Sequence, residues 1–181
     1  MRPTGSIVKA IAWVRHFAAN RRAAAAVEFA LVAGPLVFMI CACLELGMIV
    51  LVSATLDNAT DLMARNIRTG ITTSTNTTAT QFKQSICDNM GWLSATCPSS
   101  LNVDVQTYPS FAGVVLTDPV VSGKLQTSTM VFNTGTGSQI VMVRAYYDWP
   151  LFTPFLSAGL STLSSGDALL SAKVVFRNEP F

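Results

Sequence analysis

The sequence predicts an α+β fold. A long N-terminal membrane-spanning helix continues into an amphipathic half, followed by a head built on a small, mostly antiparallel sheet. Three observations carry this. Ala23–Val52 is a 30-residue run whose only charged members are Glu28 and Glu45. Val52, Leu56, Ala59, Met63 and Ile67 then recur at steps of four, three, four and four, one stripe of a 3.6-residue period. Beyond residue 100, several segments alternate apolar and polar side chains, the two-residue period of a strand.

The apolar run comes first in the argument. From Phe29 to Val52 there are 24 residues interrupted only by Glu45. About 20 apolar residues span a hydrocarbon core of roughly 30 Å. In lipid the backbone must satisfy its own hydrogen bonds, so such a run is helical. Core helices of soluble proteins rarely stay apolar on every face for six turns. A carboxylate within the span costs roughly 2.5–3.5 kcal/mol on insertion scales, and less near the interface. Glu28 stands at that edge, where it reaches the headgroups. Glu45, deeper in the run, serves as a comparison for it.

Met1–Arg22 carries Arg2, Lys9, Arg15, Arg21 and Arg22 and no acid. Of the 12 basic residues this leaves seven against ten acidic ones, so the remainder is net negative. Cations flanking a first helix hold that flank in the cytoplasm, which puts the residues after the span outside it. A cleaved secretory signal is the alternative, since Val52-Ser53-Ala54 resembles a signal-peptidase site. Its apolar region would far exceed the usual length of about 7–15 residues. His16, the only histidine, lies in this leader as a solvated residue. Pro35 after Gly34 marks a kink position. Gly34, Ala42, Cys43 and Gly47 are small enough for a neighbouring helix to approach, without a strict GxxxG. Cys41 and Cys43 point about 200° apart on a helix and do not pair with each other. They read as apolar filler, with acylation the alternative.

The helix continues past the lipid. Asp57, Asn58, Asp61, Arg65 and Arg68 lie off the apolar stripe, and Arg65 and Arg68 precede Gly70, matching the helix dipole and a glycine stop. A helix from Val27 to Thr69 has an apolar first half and a one-faced second half. A plain anchor with a stalk shares that pattern.

The order Arg21-Arg22, Ala23-Ala24-Ala25-Ala26, Val27, Glu28-Phe29 and then an apolar helix resembles the start of a TadE-like pseudopilin of the tight-adherence (Tad, or Flp) pilus system. Glu45-Leu46-Gly47 and Ala54–Ala59 also resemble the family's pattern. The resemblance implies a pilin-like division, with one half of the helix as anchor and the other carrying a head. It implies cleavage by a prepilin peptidase between Ala23 and Ala24, with Glu28 and Phe29 completing the recognition motif and Glu28 as mature residue five. It further implies that Glu28 pairs with a terminal amine during assembly. The family's motif usually has Gly before the cut, whereas Ala23 stands here. The implied partners are the lipid bilayer, the Tad pilus machinery with other pseudopilins, and the peptidase. The implied location is a bacterial inner membrane, with the head in the periplasm.

On this reading the chain divides into a basic leader (1–23), the transmembrane and stalk helix (24–70), a Thr/Ser linker (71–80) and an α+β head (81–181). Ile71–Thr80 is low in complexity, with no reason to pack. Asn58-Ala59-Thr60 and Asn76-Thr77-Thr78 match the glycosylation sequon but carry little weight in a bacterial setting. Gln81–Leu93 suits a short helix, with Phe82, Ile86 and Met90 at intervals of four. Outside the cytoplasm Cys87 and Cys97 read as a disulfide, worth roughly 3 kcal/mol on chain-entropy grounds; free thiols are the alternative. They make no zinc site, which needs four ligands.

Leu101–Tyr108 alternates as a half-buried strand. Phe111–Leu116 either resumes it or forms an irregular edge. Asn133–Ser138 is turn chemistry leading into a strand over Gln139–Asp148. Trp149–Leu156 is apolar and broken by prolines, and Ala168–Arg177 is a final strand. Three such strands and the long helix enclose one small core. Cys87 and Cys97, Val103-Asp104-Val105, Tyr147–Pro150 and Val175–Phe181 resemble TadE-like heads in the same order.

No catalytic constellation is visible. The head lacks histidine, a phosphate loop and a nucleophile elbow. Asp104, Asp118, Asp148, Asp167 and Glu179 are scattered, and solvent-facing positions account for them; a carboxylate pair for hydrolysis would need the fold to gather them. The head's cations do not cluster, which argues against nucleic acid as a partner. No cofactor or metal is expected. The reading is a minor pseudopilin needed for pilus assembly and adherence. The alternative is a membrane-tethered periplasmic adaptor of the same machine that is neither processed nor incorporated.

Overall fold

The computed structural model describes residues 21–181. They form two compact units that divide between Leu44 and Glu45. Helix α1 covers Arg21–Arg68, 48 residues, and runs on through Pro35. Among the described residues it is the one helix long and apolar enough to cross a membrane.

In the first unit the apolar side chains of α1 face outward. Val27, Phe29, Leu31, Val37, Met39 and Leu44 are each roughly half to three-quarters exposed. Ala25–Leu44 is 20 residues, about 30 Å at 1.5 Å per residue. That equals the hydrocarbon thickness of a bilayer.

The second unit is an α+β head built on the rest of α1. Val52, Leu56, Ala59, Met63 and Ile67 are all buried, as their stripe predicts. Asp57, Asp61, Arg65 and Arg68 are exposed on the other faces. The span expected over Phe29–Val52 therefore ends earlier. Val52 is fully buried in the head core, and Met48 and Ile49 already pack against that core. Apolarity alone cannot separate a residue that faces lipid from one that faces protein.

Gly70 stops α1 with a φ of +75°, a conformation glycine adopts without strain. A Cβ there would fall 2.6 Å from the ring of Phe181, which packs on the turn.

The Thr/Ser segment after α1 was expected to pack against nothing, yet it is hydrogen-bonded into the head. The Ser74 amide donates to Thr134 Oγ1 at 2.8 Å, and the Thr134 amide donates to Ser74 Oγ at 2.9 Å. Hydroxyls that look like linker composition here satisfy turn amides. Thr78 caps helix α2 (Ala79–Asn89) in a reciprocal capping box with Gln81. Phe82, Ile86 and Met90 are buried at the predicted spacing. A 3-10 turn (Gly91–Leu93) and the short helix α3 (Cys97–Ser100) follow.

Strand β1 (Leu101–Tyr108) has the bounds its alternation gives. Phe111–Leu116 does not resume it. A 3-10 turn at Phe111–Gly113 is followed by a small hairpin, β2 (Val120–Val121) and β3 (Lys124–Leu125). Ser122 (φ 52°) and Gly123 (φ 72°) make its two-residue turn, the positive-φ geometry suited to tight hairpins. Strand β4 (Ile140–Trp149) is central in an antiparallel sheet ordered β1–β4–β5, with β5 at Ala168–Arg177. Between them lies helix α4 (Pro154–Leu160), for which the prolines alone gave no helical signal.

The core lies between the inner sheet face and the head half of α1 with α2. Val141, Val143, Ala145, Tyr147 and Trp149 line the sheet side. Phe82 meets Phe132 with ring centroids 5.3 Å apart. The outer face of β4 is covered too, with Met142 and Tyr146 buried.

Candidate functional site

The helix carries the first candidate. Glu28 is exposed on α1, one residue before the exposed Phe29. Ala23 and Ala24 belong to the same helix, and Ala24 lies four positions before Glu28, about one turn. A terminal amine at residue 24 would thus lie one turn from the Glu28 carboxylate. The leader over residues 1–20, including His16, falls outside the described residues.

Glu45 has a different environment. It is 4% exposed, and its carboxylate accepts the Phe152 amide at 2.6 Å. It also accepts the Thr153 amide at 3.1 Å on the other oxygen. These charge-assisted bonds fix the loop entering α4 to the long helix. Next to them, Phe152 meets Trp149 edge-on at 5.9 Å and is 70% exposed. In the sequence Glu45 is an interruption of the apolar run and a neutral comparison for Glu28; in the structure it is the tie between the long helix and the loop entering α4. A lone acid in an apolar run was the available signal, but its partners are backbone amides 107 and 108 positions away.

A third cluster lies on the outer sheet face. Asp104 of β1 stands opposite Arg144 of β4 in the strand register. Both are buried, at 1% and 8% exposure. Arg144 donates from Nε at 2.8 Å and from its Nη2 to the same Asp104 oxygen, Oδ2. Asp104 Oδ1 accepts the Val131 amide at 2.8 Å, and Gln106 Nε2 donates to Oδ2 at 3.0 Å. Burial alone would lower the Arg144 guanidinium, but Asp104 beside it holds it above its ordinary value. Tyr146 follows, its phenol pushed up by burial. Asp104 was expected to face solvent; the loop ending at Val131 covers that face of the sheet instead. The cluster is a buried ion pair that pins a loop.

Of the remaining acids, Asp118 lines the same hollow as Asp104, and Asp148 and Asp167 come near each other. Asp148 is half-buried at the end of β4, and burial, then the charge of Asp167, pushes its carboxyl up. Glu179 pairs with Arg68 at 3.3 Å on the surface. Among the described residues, no three His, Cys, Asp or Glu side chains gather as metal ligands do.

Cys87 and Cys97 are at disulfide distance, with Cα atoms 5.5 Å apart, and both are buried. The bridge clips the end of α2 to the start of α3. Cys41 and Cys43 are exposed and free.

Residues 23–65 match the family model described as TadE-like protein. That interval begins at the alanine run and ends near the last turn of α1, so the resemblance read from Ala23–Phe29 and Glu45–Gly47 is met over the helix. No curated protein and no solved structure matches the chain. With an N-terminal apolar helix of spanning length, the match fits a membrane protein of the Tad system.

Proposed function

We propose that the chain is a TadE-like minor pseudopilin, a single-pass membrane protein needed for Tad pilus assembly and adherence. One observation carries the reading: α1 has an outward-facing apolar stretch over Ala25–Leu44 with Glu28 near its start, and a head packs on its other half. The five leader cations orient the N-terminus to the cytoplasm and the head to the periplasm of a bacterial inner membrane. Prepilin peptidase would cut between Ala23 and Ala24.

On this reading Glu28 acts during assembly. A carboxylate entering an apolar filament core is expensive unless a cation meets it. A terminal amine, its own or a neighbour's, supplies that cation. The decisive experiment compares filament yield for Glu28→Ala with Asp57→Ala, an exposed acid on the same helix. Membrane insertion and protein level stay normal in both, and piliation falls only in Glu28→Ala. Normal piliation with Glu28→Ala would leave the unprocessed periplasmic adaptor, a reading that Ala23 in place of Gly favours.

A further inference from the structure

We infer that the Glu45 end of the head is a lipid-facing surface, with Phe152 and Trp92 seated at headgroup depth. This rests on the membrane reading of α1 and concerns a different part of the chain.

The Glu45 carboxylate holds the Phe152 and Thr153 amides. Ala25–Leu44, the outward-facing apolar stretch of spanning length, ends at the residue before it. Phe152 is therefore fixed beside Glu45, the first residue of the head unit. A phenyl ring 70% exposed at that level meets the headgroup and acyl boundary, where the Trp, Phe and Leu side chains of interfacial segments are seated.

Trp92 shares this end of the sheet. Leu101 pairs with Tyr147, and Ala168 pairs with Trp149, so the Trp149 end of the sheet also carries the start of β1. Helix α3 runs directly into Leu101, and the Gly91–Leu93 turn lies inside the short loop that Cys87–Cys97 closes between α2 and α3. Trp92 in that turn is 57% exposed.

Charge points the same way. Trp149–Gly166 contains no Asp, Glu, Lys or Arg, nor does Asn89–Asn102. These two stretches carry exposed aromatics without charge and lose little on entering the headgroup zone; the acids at this end of the sheet, Asp148 and Asp167, are part-buried, and Ser165 Oγ donates to Asp167 at 2.8 Å.

The test uses the full chain with Trp13→Phe, which leaves Trp92 and Trp149 as the only tryptophans, both at this end. It is reconstituted in phosphatidylcholine vesicles, with and without bromine near the top of the acyl chains. The expected result is loss of tryptophan emission in the brominated vesicles. A chain that floats with vesicles but keeps full emission overturns the lipid-facing surface and leaves the span intact. Failure to float overturns both. Emission that becomes shielded from acrylamide only in assembled filaments would assign the surface to a neighbouring subunit and also overturn the proposal.

A second measurement avoids reliance on tryptophan. In a Cys41→Ser, Cys43→Ser chain, a spin label at Phe152→Cys should collide with oxygen more than with an aqueous nickel complex. The same label at Phe181→Cys, beside Gly70 at the other end of the head, should show the reverse. Aqueous behaviour at both positions sinks the inference.

Discussion

The Glu45 carboxylate accepts the Phe152 amide at 2.6 Å, joining residues 107 positions apart. Together with the Thr153 bond it occupies both oxygens, so the acid is satisfied although only 4% exposed. The charge that interrupts the apolar run is thus placed where the head begins.

That arrangement gives a first prediction. Glu45→Ala removes the acceptor of two part-buried backbone amides, at about 1.5–3 kcal/mol for a hydrogen bond to a charged group. Amide exchange at Phe152 and Thr153 should accelerate at least tenfold, about 1.4 kcal/mol, while exchange along β4 changes little. Glu45→Gln keeps one acceptor oxygen and should fall between. Unchanged exchange at both amides would show that the tie is incidental.

The buried pair on the outer sheet face gives a second. Asp104→Ala leaves the buried Arg144 guanidinium without its ion-pair partner and frees the Val131 amide. Breaking a buried pair costs about 3–5 kcal/mol, whereas replacing both partners with apolar groups is often near neutral. Denaturant unfolding of the full chain in detergent should therefore show Asp104→Ala as the more damaging change. Asp104→Leu with Arg144→Met should recover much of the loss. If the double variant is as unstable as the single, the pair contributes more than mutual neutralisation.

The sequence was legible elsewhere than at these two sites. The stripe from Val52 to Ile67 and the alternation of Leu101–Tyr108 are local periodicities, and both elements form as those periods require. Ala168–Arg177 is likewise a strand over its predicted residues. What the sequence hid is long-range. Asp104 alternates as a solvent-facing residue would, and its partners are the Val131 amide and Arg144, 27 and 40 positions on. The Thr/Ser segment looks like linker because its partner Thr134 lies 60 positions beyond Ser74. The boundary between lipid-facing and core-facing apolar residues was invisible for a related reason: both environments select the same side chains.

A third prediction follows from Asp148. Its folded-state carboxyl is raised by burial and then by Asp167, so the folded chain holds the proton more tightly than the unfolded chain. A raised acid disfavours folding once it ionises. Stability from this group is greatest below the ordinary aspartate range and falls as pH rises through it to the folded value. Asp148→Asn removes that dependence. The variant should melt higher than the parent at pH 7, with the difference vanishing near pH 3. A constant difference across that range would point to packing rather than titration.

The last prediction concerns Gly70, where the long helix turns into the head. Its φ of +75° suits glycine, and an added Cβ would come within 2.9 Å of three atoms of the Phe181 ring. Two effects are superposed in Gly70→Ala, backbone strain and a clash, and a second substitution separates them. Strain at a positive φ costs about 1–3 kcal/mol for a side-chain-bearing residue. The ring is the end of a movable side chain on a half-exposed residue, so the clash is relieved cheaply by displacement. Gly70→Ala should therefore destabilise the head by an amount within the strain range. Adding Phe181→Ala should recover only a minor part. Gly70→Asn should be milder than Gly70→Ala, because asparagine tolerates the left-handed region better. The measurement is thermal unfolding of the full chain for all three variants. If Phe181→Ala restores parental stability to Gly70→Ala, the glycine is kept for the ring that packs on it, and the helix stop does not depend on its φ.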